Sequence, residues 1–302
     1  MWLETSVKPR VRPLTYAGYK VNVEKHLVPM LGRIPLDQLS PRHVQEMING
    51  RLAAGLSTKT VAYIHQVLRT ALSLAVRWDM VQRNVARLVD RPRIERKKIN
   101  PLTPDEARQF LTAIRGHRLE ALFSVALALG LRQGEALGLG WEDVDFTAGT
   151  LRVRNQLQRI GGKLTLVPPK TERSRRTLVM PTMIVERLRE HEARQAAEKL
   201  WAGSKWEQTD LVFTHRNGGP IPARHVIEHF HDALAKAGMR RVRFHDLRHS
   251  CATLLLVQGI SPRVVMEVLG HSEIALTMNA YSHVVPELQR DAAQRMQAIL
   301  EH

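Results

Sequence analysis

A short basic segment that contains a proline divides this chain of 302 residues into two parts with different sequence patterns. Residues 91–99 are mostly arginine and lysine, with Pro92 among them, and this composition fits an interdomain linker or a solvated loop. The part before them shows helical periodicity only, whereas the part after them mixes helical and strand-like patterns. We therefore predict a helical domain in residues 1–90 and a larger domain in residues 100–302.

The first part contains several helix-start signals. Thr15 is a candidate N-cap for a helix to about residue 26, and Pro29 would then lie just past its end. Pro41 opens a second helix, and Ser57 caps a long third one. Apolar residues at helical spacing cover one face of this third helix, at Val61, Ile64, Val67, Leu68, Ala71, Leu72 and Leu74.

The second part begins with a clear helix signal, because Thr103, Pro104 and Glu106 form the pattern of a capping box. Two helices are predicted up to about Leu129, and a short one is predicted after Arg132. Further helical patterns follow at residues 181–198, 223–237, 245–258, 262–269, 273–281 and 285–300.

Strand-like sequence is confined to the middle of this second part. Residues 151–154 alternate, Gly161-Gly162 provides a hairpin turn, and residues 164–167 are predicted to pair back. Residues 176–180 give a third strand. The predicted fold class is therefore mainly α with a small antiparallel β-sheet.

The charge of the chain points to a polyanionic partner. Lysine and arginine exceed aspartate and glutamate by 45 − 29 = 16, and residues 1–95 alone carry 15 basic and 7 acidic residues. Such a field attracts nucleic acid first and an anionic membrane surface second. Since the chain has neither an apolar stretch of about 18 residues nor a signal peptide, we predict no membrane partner.

Cysteine usage bears on the compartment. Cys251 is the only cysteine, so no intramolecular disulfide can form. It stands in an apolar helical run, which is typical of a packed small residue. A reducing compartment fits this pattern, and we predict a cytoplasmic protein.

Tyr281 is the only tyrosine after Tyr63, and it follows two arginines in unusual contexts, Arg132 and Arg248. A phenolic oxygen can be a covalent nucleophile toward phosphorus, and two guanidinium groups can hold the oxygens of one phosphate. Together they suggest a way to break a DNA strand without a metal ion. Seen singly, each arginine also fits a structural role, for example an ion pair between Arg132 and Glu135 that orients its guanidinium.

These segments together resemble the tyrosine recombinase, or phage integrase, family. The matching stretches are Ala128–Leu137, Pro169-Lys170-Thr171 with Ser174-Arg175-Arg176, His245–His249, Leu269–Ser272 and Tyr281-Ser282-His283. The resemblance covers residues of about 100 to 285, and the helical part before them looks like the SAM-like core-binding domain of that family. No single stretch is specific for this family, but the occurrence of all of them in this order is.

The resemblance implies a site made of Arg132, Lys170, His245, Arg248, His271 and the nucleophile Tyr281, with no cofactor. Tyr281 would attack the scissile phosphate, leaving a 3′-phosphotyrosine and a free 5′-hydroxyl. The two arginines would stabilise the charge on phosphorus. Lys170 would protonate the leaving 5′ oxygen.

The two histidines have less defined roles in this resemblance. His245 would accept a proton or bind the phosphate, and its spacing of three residues from Arg248 places both on one helix face. His271 would donate a hydrogen bond to a phosphate oxygen. Because the phosphotyrosine keeps the bond energy, religation would need no ATP.

Relatives in this family close two domains around duplex DNA and act as tetramers on paired sites, so double-stranded DNA and further copies of this chain are the implied partners. Candidate DNA-binding residues are Lys59, Thr60, Arg69, Arg96, Lys97, Lys98, Arg173 and Arg175. Many phage integrases also carry an N-terminal arm-binding domain, whereas this chain starts directly with core-binding sequence. It is therefore expected to be a simple recombinase or a shortened form, and help from DNA-bending proteins is in doubt.

Three other functions fit part of the sequence. His225-Val226-Ile227-Glu228-His229 matches an inverted zinc motif of metallopeptidases, although the same residues fit an amphipathic core helix. A DNA-binding regulator that keeps the fold without catalysis is a second alternative. A type IB topoisomerase-like activity is a third, which shares the chemistry and differs in site specificity.

Overall fold

The computed structural model describes residues 1–94, 100–169, 171, 174–270, 293–294, 296–298 and 300. The structure divides into two compact units, Met1–Lys97 and Lys98–His302. The division falls inside the basic segment 91–99, of which residues 95–99 lie outside the described residues. Each unit has a hydrophobic core of its own.

The described secondary structure of the first unit is helical. Its α-helices are α1 (Pro13–Asn22), α2 (Val28–Leu31), α3 (Pro41–Ala53) and α4 (Thr58–Arg77). Shorter π and 3₁₀ turns lie at Leu3–Val7, Val23–Leu27, Leu36–Gln38 and Val85–Arg87. The predicted starts at Pro41 and Ser57 are confirmed, because Pro41 is the first residue of α3 and the Ser57 hydroxyl accepts a hydrogen bond of 3.2 Å from the amide of Thr60.

The first helix differs from its prediction at both ends. It starts at Pro13, two residues before the predicted cap at Thr15, and Arg12 precedes it in an extended conformation. Helical structure then continues through a π-helical turn into α2, where Pro29 lies in the first turn. Proline is tolerated there because the first turn of a helix leaves its amides unpaired, so Pro29 does not end the helical segment.

The core of the first unit forms along one face of α4. Val61, Ile64 and Val67 are fully buried, and Leu68 and Leu72 are nearly so. They pack with residues of α3 and of the turns on either side of α2. Burying a large aliphatic side chain stabilises a fold by roughly 1.5–3 kcal/mol, so this face holds the helices together, and its spacing is the one predicted from the sequence.

The second unit contains most of the predicted helices at nearly their predicted positions. They are α5 (Pro104–Ala113), α6 (Glu120–Ala128), α7 (Gln133–Leu137), α8 (Thr182–Ala202), α9 (Ala223–Lys236), α10 (Phe244–Val257) and α11 (Pro262–Leu269). The capping box of α5 is present, since the Thr103 hydroxyl accepts from the Glu106 amide and a Glu106 oxygen accepts from the Thr103 amide. The helices predicted at 273–281 and 285–300 lie wholly or largely outside the described residues.

The described strands of the second unit are antiparallel and form two sheets. They are β1 (Val144–Asp145), β2 (Thr150–Val153), β3 (Gln156–Ile160), β4 (Lys163–Val167) and β5 (Arg176–Val179). One sheet has the order β1-β2-β5, and the other is the β3-β4 hairpin around Gly161 and Gly162. The mainly α fold class is confirmed, but the strand that pairs with residues 164–167 is β3, whereas residues 151–153 pair with β5.

Aromatic rings fill the core of the second unit. Phe230 of α9 lies 5.5 Å from Phe110 of α5, 5.6 Å from Phe123 of α6 and 5.6 Å from Phe244 of α10, measured between ring centroids. Such tilted and edge-on pairs add to the stabilisation that burial provides. The helices that carry the predicted site are thereby held on a common core. Within the described ranges, no helix combines the length and apolar composition needed to cross a bilayer.

The chain enters the second unit along α10. The amide of Leu102 donates a hydrogen bond of 2.8 Å to the Ser250 hydroxyl, which in turn donates to the carbonyl of Asp246 at 2.8 Å. Arg240 donates to the carbonyl of Pro101 at 2.7 Å and to both carboxylate oxygens of Glu106, at 2.7 and 2.9 Å. The bond between Leu102 and Ser250 fixes the start of the unit to the helix that carries Arg248, and Arg240 fixes it to the segment just before that helix.

Candidate active site

Arg132 lies at the start of α7, where Glu135 binds it twice. One Glu135 oxygen accepts from the Arg132 backbone amide at 3.1 Å, and the other accepts from its guanidinium Nη1 at 2.5 Å. The carboxylate is buried, with 2% of the Glu135 side chain exposed, whereas 37% of the Arg132 side chain remains exposed. Glu135 therefore caps the helix and fixes one end of a guanidinium whose remainder faces solvent.

Arg248 lies near the start of α10 and is 3% exposed. Its Nη1 donates to the carbonyl of Gly130 at 2.8 Å, and its Nη2 donates to the carbonyl of Leu269 at 2.7 Å. Gly130 stands two residues before Arg132 in the turn between α6 and α7, with a φ of 62°. Arg248 thus fixes the position of the segment that presents Arg132, and it also fixes the end of α11.

His245 lies one helical turn before Arg248 on α10 and is an exposed residue. The pKa of its imidazole is lowered by loss of hydration and then by the positive charges of Arg248 and Arg132. Arg132 and Arg248 thus both contribute positive charge near His245. A histidine with a lowered pKa is mainly neutral near pH 7 and can accept a proton.

His249 follows His245 on the same face of α10, and the two rings meet edge to face with centroids 4.9 Å apart. Burial, followed by the neighbouring His245, lowers the pKa of His249 to about 4. Asp246, between them, accepts from the backbone and guanidinium of Arg243 at 2.8 and 2.6 Å. Burial alone would raise the pKa of Asp246, but the bonds to Arg243 lower it overall, so this carboxylate caps α10 in ionised form.

Sequence reasoning missed the role of Arg176, the first residue of β5. Its Nη2 donates to Glu135 at 3.1 Å, its Nε to the carbonyl of Val268 at 2.7 Å and its Nη1 to the carbonyl of Ser174 at 3.1 Å. The prediction used Arg176 only as a strand residue and as part of the family resemblance. Nothing in the sequence pairs it with Glu135, which lies 41 residues away.

The other three predicted catalytic residues, Lys170, His271 and Tyr281, lie outside the described residues, as do Arg96, Lys97, Lys98 and Arg173. Their neighbours are described at two points. The Ser174 amide donates to the Thr171 carbonyl at 3.0 Å, and the hydroxyls of these two residues lie 2.9 Å apart. Gly270 ends α11 in the left-handed conformation directly before His271.

The DNA-binding candidates that are described lie at the protein surface. Lys59, Thr60 and Arg69 are exposed on α4, and Arg175 is exposed beside β5. Thr60 and Arg69 are nine residues apart, which is about two and a half turns of a helix. They therefore face opposite sides of α4, and one surface laid against this helix reaches only one of them.

The histidines of the possible zinc motif lie on α9 and pack edge to face against histidines of other segments. His225 meets the ring of His215 with centroids 5.5 Å apart, and His229 meets the ring of His117 at 5.6 Å. Across the described part of the chain, no group of three or more histidine, cysteine, aspartate or glutamate side chains is arranged to hold a metal ion. The helix itself buries Val226 and Phe230, as its amphipathic pattern indicates.

Comparison with protein families gives two matches, one in each unit. A sequence model of the phage integrase family matches residues 100–287. A model of the phage integrase N-terminal SAM-like domain matches residues 1–52. The match to residues 100–287 includes every segment that contains a predicted catalytic residue.

Individual relatives and structures agree with these matches. A tyrosine recombinase XerC-like protein of Caldanaerobacter subterraneus subsp. tengcongensis is 31% identical over 98% of this chain and 80% of its own length. The Tn1549 transposon integrase in complex with transposon right end DNA superimposes with a TM-score of 0.82 at 22% identity, covering 98% of both chains. A lambda integrase tetramer bound to a Holliday junction superimposes with a TM-score of 0.69 at 18% identity, covering 92% of this chain and 74% of that one. The likeness to both structures lies in the fold.

Proposed function

Because this chain belongs to the phage integrase family and is a site-specific tyrosine recombinase, we propose that Tyr281 cleaves double-stranded DNA through a 3′-phosphotyrosine. The observation that supports the proposal is the hydrogen bond from Arg248 to the carbonyl of Gly130, because Gly130 stands two residues before Arg132 and the bond ties both arginines to one turn. His245 lies beside them and has a pKa that both arginines lower. The transition state of strand cleavage requires such groups, because it needs positive charge near the phosphate oxygens and an acceptor for the tyrosine proton.

The proposed reaction exchanges one phosphorus–oxygen bond for another. The Tyr281 oxygen attacks phosphorus and loses its proton to His245, the bond to the 5′ oxygen breaks, and Lys170 gives that oxygen a proton. Extra negative charge gathers on the phosphate oxygens in the transition state, where Arg132 and Arg248 act on it. Fixed positive groups of this kind are typically worth about 3 kcal/mol each.

The state of His245 supports its role as proton acceptor. A phenol has an ordinary pKa near 10, so its proton leaves more easily to a neutral base within reach. The arginines that favour the phosphate also keep the imidazole unprotonated, since they disfavour a further positive charge. One cationic surface thus serves both phosphate binding and nucleophile activation.

Double-stranded DNA is the proposed partner, and further copies of this chain are proposed to assemble on it. The net charge of +16 supports this, as do the Tn1549 integrase bound to DNA and the lambda integrase tetramer on a Holliday junction. Proposed DNA contacts are Lys59, Arg96, Lys97, Lys98, Arg173 and Arg175, together with either Thr60 or Arg69, which face opposite sides of α4. Binding that depends on such contacts weakens steeply with salt.

A covalent trapping assay tests the proposal. DNA sites are first selected from a random pool, and a nicked substrate is then made in which the cleaved strand end diffuses away. The wild-type protein should form a covalent adduct that resists denaturation, and Tyr281→Phe should form none while still binding DNA. Tyr63→Phe, on α4, is the matched control and should form adduct at the wild-type rate.

Two outcomes contradict the proposal. Adduct formation by Tyr281→Phe would show that another residue is the nucleophile. Tight binding of the selected DNA by wild-type protein without any adduct would favour the alternative function, a DNA-binding protein that keeps the recombinase fold.

A further inference from the structure

Arg176 is an enclosed cation beside the proposed site. Only 7% of its side chain is exposed, against 37% for Arg132. All three of its guanidinium nitrogens donate hydrogen bonds inside the protein, to Glu135, to the carbonyl of Val268 and to the carbonyl of Ser174. Because each guanidinium nitrogen of Arg176 is already bonded inside the protein, we expect its effect on the reaction to pass through those partners.

The partner that matters is Glu135, which is shared between two arginines. Its Oε1 lies 2.5 Å from Nη1 of Arg132, and its Oε2 lies 3.1 Å from Nη2 of Arg176. Burial would raise the pKa of Glu135, but the charges of Arg176 and then Arg132 lower it overall, so the carboxylate is ionised. The three groups together carry one net positive charge.

That net charge depends on Arg176. If Glu135 had Arg132 as its only cation, the ion pair would be neutral, and the field of Arg132 at a bound phosphate would be largely cancelled. With Arg176 present, the carboxylate has a second counter-ion on its far oxygen. Low-dielectric surroundings make such charge sharing effective, because water does not screen it.

We propose that Arg176 is a positioning residue that offsets the charge of Glu135, so that Glu135 can orient Arg132 without cancelling its positive charge toward the DNA phosphate. The inference rests on the proposed function, because it assigns Arg132 to the phosphate. Arg176 also holds the carbonyls of Ser174 and Val268, which lie four residues after Lys170 and three before His271. The alternative is that Arg176 acts only by holding these two carbonyls in place, and the experiment has to distinguish this role from charge offset.

A double-mutant cycle separates the two roles. Single-turnover adduct formation is measured for wild type, Glu135→Gln, Arg176→Met and Glu135→Gln/Arg176→Met, together with the DNA concentration at half-saturation. With Glu135 present, Arg176→Met should slow adduct formation on the order of 10- to 100-fold, the range for coupled residues in contact. In the Glu135→Gln background the same change should slow it by no more than about threefold, since there is no carboxylate charge left to offset. Half-saturation should change little in each case.

Arg118→Met is the matched control, because it breaks a partly buried ion pair with Glu198 in the same unit, whose side chains are 21% and 18% exposed. It should cost comparable stability and leave the rate of adduct formation unchanged. A loss of rate by Arg118→Met as large as that by Arg176→Met would overturn the inference, because destabilisation would then explain both.

Equal slowing by Arg176→Met in the two backgrounds would also overturn it, since the bonds to Val268 and Ser174 are lost in both. If Arg176→Met alone does not fold, the rates of adduct formation of Glu135→Gln and Glu135→Gln/Arg176→Met still test the inference. A large difference between these two rates would contradict it, because neither variant has the carboxylate charge that Arg176 is proposed to offset. Absence of adduct in the wild type would instead refute the proposed function itself.

Discussion

The Nη2 group of Arg248 donates a hydrogen bond of 2.7 Å to the carbonyl oxygen of Leu269. An arginine proposed to bind phosphate is therefore also what fixes the last turn of α11. Its second bond, to Gly130 at 2.8 Å, ties the same guanidinium to the turn that leads into Arg132. Arg248 therefore needs the planar guanidinium group, and not only a positive charge, for its structural role and for its proposed catalytic role.

Arg248→Lys should for this reason damage both stability and cleavage. An ammonium group cannot serve two carbonyls on opposite sides of a planar fork, and a buried carbonyl left without a partner costs about 1–3 kcal/mol. Urea unfolding should show that loss, and single-turnover cleavage should fall on the order of 100-fold or more. Arg263→Lys, at an exposed ion pair with Glu267, is the control and should change neither measurement appreciably. Wild-type cleavage by Arg248→Lys would contradict the assignment.

Gly130→Ala should destabilise the protein more than the same change at another glycine of equal backbone conformation. Gly130 and Gly149 have φ values of 62° and 63°. A Cβ on Gly130 would lie 2.5 Å from Cδ2 of Leu269 and 3.2 Å from Sγ of Cys251, whereas nothing lies within 4 Å at Gly149.

Both alanines bear the left-handed penalty of about 1–2 kcal/mol, and overpacking should add roughly 1–3 kcal/mol at Gly130 only. Thermal unfolding of the two variants measures the difference. Equal melting temperatures would show that the contact with Leu269 relaxes freely.

Acid should destabilise the fold partly through His249. Its folded pKa is about 4, below the ordinary value of 6.5. Above pH 6.5 the ring is neutral in both folded and unfolded chains. Between pH 6.5 and about 4 the unfolded chain takes up a proton that the folded chain refuses, so the free energy of unfolding falls as the pH falls.

His249→Gln should remove this contribution. Between pH 7 and 4.5 its unfolding free energy should fall less than that of the wild type, by on the order of 1 kcal/mol. Urea titrations at fixed pH values give both slopes. Other histidines with lowered pKa values, such as His65 and His191, contribute equally to both proteins and cancel. Parallel slopes would show that His249 protonates in the folded state as easily as in the unfolded one.

Lys170→Ala should slow cleavage of ordinary DNA strongly and cleavage of a substrate with sulfur at the bridging 5′ position very little. A thiolate has a far lower pKa than an alkoxide and leaves without a proton donor. Single-turnover rates on both substrates provide the comparison. Lys163→Ala, at an exposed position of β4, should match the wild type on both. Failure of the sulfur substrate to restore cleavage would argue against Lys170 as the acid.

Local sequence signals predicted most helix boundaries, because a cap is a contact between residues three positions apart. Thr103 and Glu106 are bonded as their spacing indicates, and α11 has its predicted bounds of residues 262–269. The miss at Pro29 has a local cause as well. A proline stops a helix in its interior but is accepted in its first turn, and the sequence does not show that a new turn begins there.

Strand pairing and the site's internal contacts were harder to predict, because they depend on residues far apart in the chain. Arg154 looks like the end of an alternating strand, yet it lies past β2 and binds Asp143 and Glu142. Arg175 and Arg176 lie in the same basic stretch of sequence. Only the fold shows that the Arg176 side chain is enclosed, whereas Arg175 is at the surface. The sequence predicted the pair of Arg132 and Glu135, but only the fold shows that Arg176 shares this carboxylate.

The bond between the Leu102 amide and the Ser250 hydroxyl has a practical consequence for dissecting this molecule. Ser250 stands two positions after Arg248, so the first residues of the second unit hold in place the helix that carries that arginine. A fragment that begins at α5 would lack the bond from Leu102, together with the Asn100 and Pro101 carbonyls that bind Arg240. The shortest excised version expected to keep α10 in place therefore starts no later than Asn100.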